Sequence, residues 1–195
     1  SAPLLSTTPP VTLPAWSSFL TAAHPSQHGV LDMMKHHSSS YDVVPMGGSD
    51  STLPSFLYRL RMQGLRVASI GVPGTYPPHQ HGNLCIAGFD APGGNMAEIH
   101  AYYPKDEYRQ LQAWGGWSYA AFNELDGAPQ NIREKTEALL NSLDEKENLF
   151  LHLLNQTWDV MMVHIQATDT ISHHAWHTHD STSPRRTTQT PEDAV

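Results

Sequence analysis

Cysteine is almost absent from this 195-residue chain: Cys85 is the single one, so no disulfide can form within the chain and the redox compartment stays open. Long apolar runs are missing too. None approaches the roughly 18 residues of a membrane-crossing helix, and no signal-peptide pattern is visible. Positive charge is scarce. Lys and Arg number 11 against 19 Asp and Glu, and the formal net charge of −8 argues against a nucleic-acid polymer or an anionic membrane surface as the main partner. An anionic small-molecule substrate stays compatible with that charge, because a bound metal ion can invert the local field. No internal repeat is visible.

What the chain does have is 39% hydrophobic residues, enough for one domain with a sizeable core, and 13 histidines, several of them crowded into "SHHAWHTHD". Such a cluster reads either as polar side chains filling out the solvent face or as metal ligation.

Periodicity predicts the elements. "PAWSSFLTAA" (14–23) reads as a short helix, with Trp16, Phe19 and Leu20 at helical spacing and Pro14 tolerated in the first turn. Residues 35–53 read as loop, with "YDVVP" a short strand within it. "LPSFLYRLRMQG" (53–64) is amphipathic, with Leu53, Phe56, Leu57 and Leu60 on one face and Gly64 as its stop. The buried strand "LRVASIGV" (65–72) follows, and a helix–glycine–strand unit of this kind predicts an α/β protein. "LCIAGF" (84–89) is a further strand and "PKDEYRQLQAW" (104–114) a helix. The longest helix is expected over 130–156, where Ile132, Thr136, Leu139, Leu143, Lys146, Phe150 and Leu153 form a stripe that packs on a sheet, Lys146 laying its stem along it. "WDVMMVHIQ" (158–166) reads as a buried strand, and "ATDTISHHAWH" as a strand end turning into a helix. The tail, 181–195, carries no apolar period and is expected to be truncated or disordered.

Two segments hold candidate chemistry. Asp169 lies just past a predicted buried strand, at the end where open α/β sheets bind ligands. His173 follows one helical turn later and His177 one turn after that, so a carboxylate and an imidazole share a face and could hold one borderline metal such as zinc. The competing reading is a helix cap at Asp169 followed by solvent-facing histidines. In "PPVTLPAWSSFLT", Thr12 stands at the mouth of a helix, where free N–H groups and the positive end of the dipole favour an alkoxide and an incoming phosphate. A nearby dication would lower the hydroxyl's pKa further. The competing reading is an ordinary capping threonine.

Three blocks in order, "PPVTLPAWSSFLTAAHPSQHGVLDM", "YDVVPMGGSDSTLPSFLYRLRMQGLRVASIGVPGTYPP" and "WDVMMVHIQATDTISHHAWH", resemble the type I phosphodiesterase/nucleotide pyrophosphatase family of the alkaline phosphatase superfamily. The resemblance implies an α/β/α sandwich with a mostly parallel sheet, here partial over 1–180, and two divalent metal ions, usually zinc, at the carboxyl edge. It implies hydrolysis of phosphodiester or pyrophosphate bonds in a small phosphate-ester substrate. Thr12 matches the nucleophile that forms a phospho-enzyme intermediate and is activated by one metal, and Asp169 and His173 match ligands of one metal site. Trp176 matches an aromatic packing residue, and His28 and Gly29 a structural turn.

The family's upstream Asp, its "SDHG"-type Asp-His pair and its further His have no match here, and residue 1 is Ser rather than Met. The expectation is therefore an internal piece of a longer enzyme, inactive by itself. The stretch after "HG" is Asp32-Met33-Met34, where the family's nucleotide-cleaving members carry an Asn. Lys35, His36 and His37 are expected as solvated loop, and specificity is expected in loops 35–52 and 74–130. A catalytically silent binding module and a phosphotransferase or mutase of the same superfamily remain as alternatives.

Overall fold

The computed structural model describes residues 3, 5–91, 99–117 and 132–186, with the side chains of 132–135 and 174 left aside. Expectations for the tail beyond 186 and for parts of loop 74–130 lie outside these residues. The chain forms two compact units, one of Ser1–Tyr108 with Thr157–His164, the other of Arg109–Gln156 with Ile165–Val195.

In the first unit, helix α1 (Thr12–Thr21) leads through the four-residue turn α2 (Pro25–His28) into an exposed antiparallel hairpin of β1 (Met34–His36) and β2 (Val43–Pro45), pairing Met34 with Pro45 and His36 with Val43. Only β2 was expected; β1 falls in a stretch with no apolar alternation. Helix α3 (Phe56–Met62) starts later than the apolar pattern suggests. Ser55 caps it by accepting the Tyr58 N–H, and Pro54 stands outside.

Strand β3 (Val67–Val72) is buried at every residue and lies between β4 (Leu84–Ala87) and β6 (Val160–Val163), parallel to both. The two-residue β5 (Tyr102–Tyr103) closes the other edge antiparallel to β4, giving the order β5-β4-β3-β6. This is an α/β fold with a mostly parallel sheet, as expected. The apolar run 158–166 yields only four strand residues, all half-buried, because β6 is an edge strand covered less fully than β3.

Helices α1 and α3 cover the sheet through Leu20 and Leu57, which pack with Val67 and Val72 and with the half-buried Trp16, Phe56 and Met162. The buried stripe of α1 is Leu13, Ser17 and Leu20, while Phe19, expected inside, is mostly exposed and stacks edge-on with Trp16 and Phe56. Trp16 and Phe56, at the rim of the core, give Phe19 its aromatic contacts.

The predicted helix 104–114 begins as a 3-10 turn over Lys105–Glu107 and becomes α4 (Tyr108–Ala113). In the second unit, α5 (Ile132–Leu154) buries Leu139, Ser142, Leu149 and Leu153, with Leu149 taking the place expected for Phe150. Lys146 donates to Ser142 Oγ at 2.7 Å and lies over the Trp117 ring, and burial holds its pKa below the usual lysine value. Helix α6 (Ala167–His179) packs Ala167 and Ile171 against Leu139 and Leu143 of α5. Residues 181–186 form turns held to α6, with Arg185 donating to the His173 carbonyl and Arg186 to that of Thr178.

Gly48 is forced by close approach. A Cβ there would overlap the carbonyl oxygen of Gly74 and crowd that of Tyr76. Gly48→Ala should lower stability by about 1–3 kcal/mol, read as a lower midpoint in a urea melt; an unchanged midpoint would mean that the two loops are free to part.

Candidate functional site

Thr12 is the first residue of α1, whose opening hydrogen bond runs from Ala15 N to Val11 O at 3.0 Å. The half-in residue is Val11, extended at φ −112°, and its side chain cannot cap. Thr12 is exposed, and its hydroxyl has no hydrogen-bond partner among the described residues. It is therefore not spent as a cap. The amides of Thr12 and Leu13 sit in the turn where helix N–H groups have no intrahelical acceptor, and Pro14 has no N–H to add. No acidic side chain occupies this turn to compete with an anion.

Leu13 fixes where this helix mouth lies. It is fully buried, and its Cδ1 stands 3.8 Å from the point where Gly74 would carry a Cβ. Gly74 follows the carboxyl end of β3 by two residues and adopts φ +79°, a left-handed conformation that glycine takes without cost. Thr12 thus begins a helix at the carboxyl edge of a mostly parallel sheet, where α/β proteins bind ligands.

One carboxylate holds the loops at this edge. Asp90, just past β4, accepts the Gly74 N–H on Oδ1 at 2.9 Å and those of Tyr76 and Gly48 on Oδ2 at 3.2 and 3.4 Å. Burial raises its pKa above the usual carboxylate value, the N–H groups of Gly74, Tyr76 and Gly48 and that of Asp90 itself pulling only part of the way back. Asp50 does similar work nearby, accepting the Gly47 N–H and pairing with Lys35. Lys35, expected as solvated loop, is thus tied down. Asp90 escaped the sequence reading although it carries the positional signal used for Asp169, an acidic residue directly past a strand.

Asp169 and His173 lie in the second unit, on the exposed face of α6 opposite Ala167, Ile171 and Ala175. Asp169 Oδ1 and His173 Nε2 are 3.5 Å apart. Two donors each about 2.1 Å from a tetrahedral ion are separated by about 3.4 Å, so the pair fits two corners of one zinc site. Asp169 does not cap the helix: Gln166 holds that position, and its side-chain amide donates to Asp169 Oδ2. His177 is half-buried one turn on. Among the described residues no group of three His, Cys, Asp or Glu is placed to hold a metal. Trp176, expected as packing, is 56% exposed and donates from Nε1 to Asp180 instead.

Other conspicuous groups are removed from chemistry by burial. His28 accepts the Val30 N–H on Nδ1, so its Nε2 carries the proton and donates to Ser18 Oγ at 2.9 Å. Burial, then neighbouring His24, lowers its pKa, and the structural role expected of it holds. His81 is 6% exposed, shares a proton with Ser55 Oγ through Nδ1, and leaves Nε2 without a partner; burial pushes it down to about 4. The Cys85 thiol is buried and pushed up to about 12, far from a thiolate nucleophile at neutral pH.

A helix bearing an unspent hydroxyl thus opens at the carboxyl edge of the mostly parallel sheet of an α/β protein, the edge at which such folds bind ligands. The sequence model of one family, described as Type I phosphodiesterase / nucleotide pyrophosphatase, matches residues 1–189. The chain belongs to that family. Neither a curated protein nor a solved structure matches it significantly.

Two measurements check this region. The folded chain excludes a proton from His81 that the unfolded chain accepts near 6.5. The stability His81 contributes is therefore full above that pH and lost as pH falls towards about 4. That gap corresponds to about 3 kcal/mol, so His81→Phe should flatten the loss of urea midpoint across this window, and an unchanged slope would assign the acid sensitivity elsewhere. Asp90→Asn turns a donor towards backbone donors and should cost about 1–3 kcal/mol at neutral pH; wild-type stability in that variant would show that the loops hold themselves.

Proposed function

We propose that this chain carries the nucleophile and part of the metal centre of a hydrolase that cleaves phosphodiester or pyrophosphate bonds in small molecules. The observation behind the reading is Thr12: in a chain of this family, it is an exposed, unspent hydroxyl on the first turn of a helix at the carboxyl edge of the sheet. Family membership supports the reaction class, and the helix mouth supports the residue.

In this reading Thr12 Oγ1 loses its proton to solvent and attacks phosphorus. The P–O bond to the leaving group breaks as the Oγ1–P bond forms, leaving phospho-Thr12. Water then attacks the same phosphorus, and Thr12 is released as its alcohol with inorganic phosphate or a phosphomonoester as the second product. The Thr12 and Leu13 amides and the positive end of α1 favour the anionic phosphoryl group. Two divalent ions, zinc by the habit of the family, would lower the pKa of the hydroxyl and offset the developing charge. Asp169 and His173 would hold one of them, the 3.5 Å separation being right for two of its donors. With only that pair among the described residues, the 195-residue chain alone is proposed to hold metal weakly and to turn over poorly.

Thr12→Ala should lower phosphodiester turnover by roughly a hundredfold or more and abolish an acid-stable phosphate on the tryptic peptide around residue 12, while bound metal is kept. His173→Ala should lower metal affinity by roughly tenfold or more, measured by competition with a chromogenic chelator. Wild-type turnover by Thr12→Ala would overturn the mechanism, and unchanged metal affinity in His173→Ala would overturn the assignment of the metal pair.

A further inference from the structure

At the other end of α1 the first unit contains a cavity of about 470 Å³. It touches α1 at Ser17, Leu20 and Thr21, five to nine residues beyond Thr12, or about 7–14 Å along the helix axis. The space lies beside the far half of α1 and meets the loops of the carboxyl edge at Gly48 and Gly74. Segment 51–58 forms a second wall and 79–81 a third.

The chemistry of the walls is specific. No Lys, Arg, Asp or Glu is among the described residues that line the cavity, and the one buried histidine on it, His81, is held neutral. Ser17 is 3% exposed, and its hydroxyl has no partner among the described residues, so it is left to whatever fills the cavity, water or ligand. The Tyr58 hydroxyl is likewise free to donate or accept. Three other hydroxyls have already committed their protons: Thr21 to Ser17 O at 2.7 Å, Ser51 to Leu53 O at 2.9 Å and Thr52 to Gln27 O at 2.9 Å. They present only lone pairs. The walls thus offer acceptors on all five hydroxyls and donors on Ser17 and Tyr58, and a ligand that both donates and accepts uses all of them.

That pattern selects among ligand classes. A phosphate dianion or a carboxylate offers acceptors only, and would face mostly lone pairs, with no lysine or arginine and only the exposed His79 to offset its charge. An ammonium ion offers donors only and would find no carboxylate. A neutral molecule carrying several hydroxyl groups satisfies both sides, and Leu20, Leu53 and Pro54 give its C–H face an apolar wall. The volume lies within the range of small-molecule sites. We propose that this cavity binds an uncharged polyol of monosaccharide or cyclitol size, with Ser17 and Tyr58 as its polar anchors.

The test is saturation-transfer NMR on the 195-residue chain, without added metal, using glucose and myo-inositol as probes and methyl phosphate, read through its methyl protons, as the anionic control. The expected result is transfer to at least one polyol at about 10 mM or below, none to methyl phosphate, and at least a threefold weaker signal in both Ser17→Val and Tyr58→Phe. Half-exposed Tyr58 can lose its hydroxyl without disturbing the core, so that variant reports even if Ser17→Val folds poorly. No transfer to either polyol, equal transfer to methyl phosphate, or undiminished transfer in Tyr58→Phe would each overturn the proposal. Because no turnover and no metal enter the experiment, its failure leaves the role of Thr12 standing, and an inactive Thr12 leaves the cavity's ligand standing.

Discussion

One carboxylate organises the carboxyl edge of the sheet. Asp90 gathers amides from Gly48, Gly74 and Tyr76, joining segments 42 and 14–16 residues away in the chain. Its pKa is raised, so the enclosure costs more than the hydrogen bonds return to the anion itself. What the arrangement supplies is position. With Gly74 held, Leu13 and Leu20 rest on it, and α1 is set with its first residue at the edge and its last turns over the cavity. The helix mouth and the polyol cavity share this one foundation, at opposite ends of one helix.

The sequence was most informative where a single force dominated. β3 was readable because a strand buried on both faces leaves a mostly apolar run, here interrupted by Ser69 and Gly71, and α5 because its stripe repeats over six turns. The Asp169–His173 juxtaposition followed from helical geometry alone. Readings failed where partners distant in the chain decided the outcome. Phe19 lies on the other side of α1 from Ser17, and the contact of Leu13, Ser17 and Leu20 with Gly74 decides which side is buried. Trp176 looks like core by composition, yet Asp180, one turn on, accepts its indole N–H outside. Asp90 was invisible because its three partners are backbone amides, which leave no trace in side-chain pattern.

The histidines separate into two populations with different physics. His28 and His81 are buried, neutral and engaged with serine hydroxyls, so their depressed affinity for protons reflects exclusion from water. His164 sits at the end of β6, donating from Nδ1 to the Gly71 carbonyl with Trp16 edge-on to its ring. His173 stands at the surface beside a carboxylate, where an imidazole can exchange a proton for a metal ion. Abundance of histidine in the composition therefore says little about ligation until burial has sorted the residues.

The parallel pairing of β3 with β6 has a kinetic side. Val67 lies opposite Val160, and the start of the pairing is clasped by Arg66 N and Asp159, 93 residues apart, whereas Val67 and Asn83 meet across 16. Loop closure alone costs about 4 kcal/mol for the longer span, some 1.5 kcal/mol more than for the shorter. The β3–β4 pair can thus assemble early, while β6 must wait for a distant part of the chain to arrive. Until it does, one side of β3 presents unpaired N–H and C=O groups beside an apolar face. The slowest contact of the sheet is therefore also the one that shields its stickiest edge, and the lifetime of that half-built sheet sets how readily the chain self-associates while folding.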